Sequence, residues 1–134
     1  MFALSKHADN LQLNTTLEDK PFRVTLSEAA QCALAQRSTP LIAEMELYFS
    51  CLLRLRVRFY ERDEGASATP INAQLSVRFR PVMSRRCDLH EVKGKPPLDD
   101  FPLVKRAPYV PHWLRLDFKK GAWVGKFGYK SGLP

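Results

Sequence analysis

Residues 45–59 read MELYFSCLLRLRVRF, and this stretch decides the predicted fold. Its odd positions are all apolar, whereas arginine occupies the even positions 54, 56 and 58. Successive side chains of a β-strand point to opposite faces of a sheet, so this period of two predicts one strand with a buried face and a basic face. The stretch exceeds the usual strand length, and we therefore expect a bend or bulge near Leu52. The predicted inward residues are Met45, Leu47, Phe49, Cys51, Leu53, Leu55, Val57 and Phe59.

A second strand is predicted by the alternation that resumes at Ile71 and continues to Phe79. Both strands place odd residues inward, so an antiparallel pairing that sets Arg58 near Asn72 keeps both faces consistent. The sequence therefore predicts a long hairpin over about 43–60 and 71–80.

One helix is predicted over about 25–38. Thr25-Leu-Ser-Glu28 has the S/T-x-x-E pattern of a capping box, in which two side chains accept backbone N–H groups at a helix start. Alanines continue the pattern, and Pro40 forces the helix to end near Ser38. We expect this helix to pack on the apolar face of the sheet.

The rest of the chain gives weaker signals. Residues 113–118 and 123–129 predict a C-terminal hairpin, and residues 1–20 predict a mobile arm or an edge strand. Residues 94–112 are rich in proline, which predicts an irregular segment, and residues 130–134 predict a frayed tail. Together these elements predict an α+β fold with a mostly antiparallel sheet.

Length and composition indicate one globular domain over 1–134. The chain is 45% hydrophobic and 26% charged, which is close to the average for folded proteins. We find no apolar leader segment and no stretch long enough to span a membrane, so we interpret the protein as cytoplasmic and independent of membranes.

The positive charge is concentrated in the second part of the chain. The net charge is +7, and residues 51–134 carry seventeen basic side chains against eight acidic ones. Arginine donates paired hydrogen bonds to phosphate, so a row of arginines on a rigid sheet is suited to a nucleic-acid backbone or an acidic protein. The candidate partner-binding residues are Arg54, Arg56, Arg58, Arg78, Arg80, Arg85 and Arg86.

This basic face has other interpretations. Tyr48 and Tyr60 add possible stacking groups for a nucleic acid. A second copy of the chain could instead cover the face in a homo-oligomer. Acidic residues could also neutralise part of it, and those close in sequence are Glu44, Glu46, Glu61, Asp63 and Glu64.

Metal binding has one weak candidate. Cys87 and His90 form a C-x2-H half-site, but a structural zinc site usually needs a second close pair. Cys32 and Cys51 are predicted to lie in the core, and His112 in a surface loop. We therefore assign no metal site.

Enzyme motifs are absent from the sequence. The chain lacks G-x-S-x-G, the P-loop, H-E-x-x-H and G-x-G-x-x-G, which are the usual motifs for acyl transfer, nucleotide hydrolysis, zinc proteolysis and dinucleotide binding. We predict a binding protein, with no catalytic residue and no cofactor.

A resemblance supplies the alternative function. Residues 24–30, VTLSEAA, look like the opening of the A-type iron–sulfur carrier proteins, and Cys51 falls about where that family has its first ligand cysteine. The paired C-x-C near the end of those proteins is missing here. The resemblance implies an iron–sulfur or metal-binding assembly protein of degenerate type.

Overall fold

The computed structural model describes residues 10–49, 53–61, 68–84, 98–100 and 105–130. Within them the chain forms one α-helix, α1 at Glu28–Ala35, and a short 3-10 helix at Ala107–Tyr109. The strands are β1 Leu11–Leu17, β2 Lys20–Leu26, β3 Leu41–Phe49, β4 Arg54–Tyr60, β5 Thr69–Asn72, β6 Leu75–Ser84, β7 Leu98–Asp100, β8 Trp113–Lys119 and β9 Ala122–Gly128.

The strands form two mixed sheets. Sheet one has the order β1-β2-β8-β9, and sheet two has the order β4-β3-β6-β5 with β7 paired to β6. Neighbouring strands are antiparallel except that β2 pairs with β8, and β3 with β6, in parallel. The predicted α+β class is therefore confirmed in its broad form, but the sheets are mixed rather than mostly antiparallel.

The stretch 45–59 is two strands and not one. β3 ends at Phe49, β4 begins at Arg54, and the two strands form an antiparallel hairpin in which Met45 opposes Val57. In this pairing each odd-numbered residue opposes an odd-numbered residue, and each even-numbered residue opposes an even-numbered one. The odd-numbered residues therefore lie on the inward face of both strands, as the period of two predicts. A period of two cannot distinguish such a hairpin from one continuous strand, and no glycine or proline marks the turn.

The predicted pairing of this stretch with residues 71–80 is also wrong. β4 lies at the edge of sheet two, and β3 separates it from β6. Arg58 therefore opposes Glu44 and not Asn72. The predicted second strand is itself divided into β5 and β6 by a turn, in which the Gln74 backbone N–H donates to Oδ1 of Asn72 at 2.8 Å.

The two sheets share one hydrophobic core. They pack closely at Gly125 in β9, where an added Cβ would lie 3.1 Å from atoms of Leu116, Val57 and Phe59. Leu55 was predicted to face inward but is 40% exposed, because it lies toward the hairpin turn and lines a surface groove. The fully buried members of the core with the largest side chains include Leu17, Phe22, Leu26, Leu34, Leu41, Met45, Leu47, Leu75 and Leu114.

Helix α1 begins later than the capping box predicts. Thr25 belongs to β2 and opposes Arg115 of β8, so strand pairing prevails at this position. Ser27 is the N-cap, and its Oγ accepts from the Ala30 N–H at 3.1 Å. The helix packs against β8 and β2, while sheet one covers the apolar face of sheet two.

The weaker predictions have mixed outcomes. The C-terminal hairpin is confirmed as β8 and β9, with its turn at Lys120 and Gly121. Within residues 1–20, β1 is an edge strand of sheet one. The proline-rich segment includes β7 and the 3-10 helix, and its residues 94–97 and 101–104 lie outside the described residues, as do residues 131–134.

Candidate functional site

The predicted arginine face is divided between two environments. Arg54 and Arg56 are exposed on β4 and make no ion pair with any described residue. Arg58 and Arg78 are bound to carboxylates of β3, and Arg80 is partly exposed. Arg85, Arg86, Cys87 and His90 lie outside the described residues.

Glu44 is the centre of the ion pairs on β3. It is 1% exposed, and its Oε1 accepts from Nε of Arg78 at 2.9 Å. Its Oε2 accepts from the hydroxyl of Tyr60 at 3.1 Å and lies 4.0 Å from Nη1 of Arg80. The guanidinium of Arg78 also lies over the Tyr60 ring, 5.1 Å from its centre.

Glu46 lies two residues further along the same face and is 0% exposed. Its Oε1 accepts from Nε of Arg58 at 2.8 Å, and Nη2 of Arg58 donates to the hydroxyl of Tyr48 at 3.2 Å. Its Oε2 is buried and has no hydrogen-bond partner among the described residues. We call these six residues the buried ion cluster: Glu44, Glu46, Tyr48, Arg58, Tyr60 and Arg78.

The two carboxyls of the buried ion cluster differ in acidity. Burial raises the pKa of Glu46 to about 7, and the neighbouring carboxyl of Glu44 adds to this effect against the influence of Arg58. Burial also raises the pKa of Glu44, but the neighbouring carboxyl of Glu46, the hydrogen bonds from Arg78 and Tyr60 and the charge of Arg78 outweigh burial and leave that pKa below its usual value. Two acids with pKa values moved apart are typical of acid–base catalysis.

The cluster nevertheless offers little to a substrate. Both carboxylates are at most 1% exposed, and the arginines that reach them are already bound. These ion pairs agree with the alternative that Glu44 and Glu46 neutralise part of the arginine face. Tyr48 and Tyr60 donate or accept hydrogen bonds within the cluster instead of offering free stacking surfaces. We therefore interpret the cluster as structural.

A second group of exposed positive charges lies on sheet one. Its outer face carries five exposed basic side chains. Two of them lie on β8, one lies on β2, one lies on β9, and one lies in the segment that follows β9. We call this surface the cationic face, and its basic residues are Arg23, Arg115, Lys119, Lys126 and Lys130.

Two grooves cross the cationic face. The first, of about 470 Å³, is lined by Arg115, Lys119 and Lys126, and the second, of about 250 Å³, by Arg23, Arg115 and Lys130. Their described lining includes one acidic residue, Asp117. Neutral side chains complete the lining and include Gln12, Asn14 and Thr25.

Among the described residues, few acidic side chains lie near these charges. Asp117 accepts from Oγ of Ser27 at 2.6 Å and from the Phe118 backbone N–H at 2.8 Å, and these bonds hold its pKa below the usual value. It lies 3.6 Å from Nζ of Lys119. Arg23 is oriented by the amide Oδ1 of Asn14 at 3.1 Å rather than by a carboxylate. The cationic face therefore carries positive charges that the described acidic side chains neutralise only in part.

An aromatic residue lies within the cationic face. The guanidinium of Arg115 lies over the Trp113 ring, 5.3 Å from its centre. Trp113 also lines a third groove of about 250 Å³ together with Lys126 and Arg56. The cationic face thus continues around the edge of sheet one to the exposed arginines of β4.

The sequence contained part of this signal. Trp113, Arg115 and Lys126 occupy the outward positions of the predicted C-terminal hairpin, so their shared face follows from the period of two. Arg23 could not be added to them, because the pairing of β2 with β8 joins distant segments and has no local sequence signal.

Among the described residues, no three His, Cys, Asp or Glu side chains come together as metal ligands. Cys32, predicted to be buried, is exposed on α1, and Cys51 lies outside the described residues. His112 accepts from the Lys130 backbone N–H at Nδ1, at 2.8 Å. None of the helices in the described part of the chain has the length and apolarity to cross a membrane.

Comparisons of this chain with protein-family models, with curated proteins and with solved structures found no match.

Proposed function

We propose that this protein is a small nucleic-acid-binding module and that the cationic face of sheet one, continued by Arg54 and Arg56, holds the phosphate backbone. One observation carries the proposal: among the described residues, five exposed basic side chains and one acidic side chain line two adjoining grooves on sheet one. Contacts with phosphates supply most of the affinity of such proteins, and they require fixed, unneutralised cations.

The iron–sulfur alternative depends on residues that the structure does not describe. Cys51, Cys87 and His90 are its ligand candidates. It therefore stays a hypothesis from the sequence, and the metal content of freshly purified protein tests it.

A double variant tests the nucleic-acid proposal. Arg115→Ser with Lys126→Ser removes two charges from the cationic face, and Lys20→Ser with Lys105→Ser removes two exposed charges outside the three grooves. Fluorescence anisotropy of a labelled mixed-sequence oligonucleotide, measured between about 50 and 200 mM salt, gives the affinity and its salt dependence.

We expect the Arg115/Lys126 variant to reduce the slope of log affinity against log salt by about two units, because each lost phosphate contact contributes about one. The Lys20/Lys105 variant should keep the slope, since its charges lie elsewhere. Equal losses in both variants would show that net charge alone attracts the oligonucleotide. If the unaltered protein binds polyglutamate but no oligonucleotide, the partner is an acidic protein and the proposal is wrong.

A further inference from the structure

The position of Trp113 on sheet one is unusual for a large apolar side chain. Trp123, the second of the two tryptophans, packs against the hydrophobic core and contacts Phe59 and Phe118. Trp113 points to the opposite face and is not part of that core. Its indole is therefore placed on the surface that carries the charges.

The neighbours of Trp113 hold the indole against the sheet. A Cβ at Gly128, the residue opposite Trp113 on β9, would lie 2.6 Å from Cζ2 and 2.9 Å from Cε2 of the ring. Glycine at this position thus gives the indole room to lie on the strand. Arg115 lies two positions further along β8 and is an exposed residue, and its guanidinium lies over the ring.

We propose that the cationic face takes single-stranded nucleic acid, with an unpaired base stacked on the pair formed by Trp113 and Arg115. This inference rests on the proposed function. Bases stack on aromatic rings and on arginine guanidinium planes in proteins that bind single strands. In a duplex the bases are already stacked on one another, so only the phosphates would gain from this surface.

The arrangement of charges around the pair fits a single strand. Trp113 lies where two grooves meet, with Arg23 and Lys130 lining one and Arg56 and Lys126 lining the other. Phosphates on either side of a stacked base would therefore both find cations. The carboxylate side chains of an acidic polypeptide would bind the cations but offer no aromatic ring to the Trp113 and Arg115 pair.

The fluorescence of Trp113 itself can report whether a base stacks on this residue. Trp123→Phe leaves Trp113 as the single tryptophan, and this protein is titrated with an oligothymidylate, with an abasic strand of equal length and with a duplex. We expect the oligothymidylate to quench Trp113 fluorescence and to bind at least about fivefold more tightly than the abasic strand. The Trp123→Phe protein must first match the unaltered protein in affinity.

Two variants separate stacking from charge. Trp113→Ala should abolish the preference for the oligothymidylate over the abasic strand while keeping the salt slope, and Trp113→Phe should restore part of that preference. Equal affinity for the two strands, or tighter binding of the duplex, would overturn this inference and leave the proposed function intact. Failure of all three nucleic acids to bind would overturn both.

Discussion

Glu46→Gln is the most informative change to the buried ion cluster. Gln keeps the oxygen that accepts from Nε of Arg58. Its amide NH2 group replaces Oε2, which is buried and has no hydrogen-bond partner among the described residues. It also removes the charge that Glu46 must carry when it ionises beside Glu44. The substitution thus separates the cost of that charge from the shape of the side chain.

The sign of the effect follows from the pKa of Glu46. The folded carboxyl has a pKa of about 7, against an ordinary value of 4.5, so the folded state binds more protons than the unfolded state between these two pH values. The contribution of Glu46 to stability therefore falls as the pH rises from 4.5 to about 7. One pKa unit corresponds to about 1.4 kcal/mol, so the loss is at most about 3 kcal/mol. Glu44 acts in the opposite direction, because its lowered pKa adds stability at neutral pH, and this contribution is lost as the pH falls below about 4.5.

Urea unfolding at pH 5 and at pH 8 measures this effect. We expect Glu46→Gln to match the unaltered protein at pH 5 and to exceed its free energy of unfolding at pH 8 by up to about 3 kcal/mol. Glu61→Gln is the matched control, since Glu61 is exposed and pairs with Arg37 at the surface. A Glu46→Gln protein that is less stable than the unaltered one at pH 8 would refute the reasoning, because it would show that the ionised carboxylate stabilises the fold.

Two further predictions concern stability, and both are measured by urea unfolding at pH 7. Ser27→Ala should cost about 1 kcal/mol, because the Ala30 N–H at the helix start loses its acceptor, and an unchanged midpoint would contradict this cap. Arg78→Ala should cost about 3–5 kcal/mol, because it leaves the buried Glu44 without its closest cation, whereas Arg56→Ala should change stability by less than about 0.5 kcal/mol. Similar costs for the two arginine variants would contradict the division of the arginine face.

Local patterns in the sequence were sufficient for the elements that depend on neighbouring residues. The hairpin of β8 and β9 was predicted because alternation on both sides meets a turn at Lys120 and Gly121. The single helix was predicted for a similar reason, although pairing of β2 with β8 moved its start from Thr25 to Ser27.

The features that the sequence could not predict depend on pairing between strands that are distant in the chain. The arginines of β4 and β6 lie on the same face of sheet two, as predicted. However, β3 lies between these strands and brings Glu44 and Glu46 to that face. A hairpin and a continuous strand have the same period of two, so the acids could not be placed among the arginines. The cationic face likewise depends on Arg23 meeting β8, which no local pattern indicates.

The parallel pairings also bear on how the chain reaches its folded state. Arg23 opposes Trp113 in sheet one, so a long loop must close before β2 gains its second neighbour. Closing such a loop costs entropy before its contacts form, and proteins rich in distant pairings fold in about milliseconds to seconds. The hairpins of β1 with β2 and of β8 with β9 can form early, but each carries only some of the basic residues. We therefore expect the cationic face to be completed late in folding, when the two hairpins join.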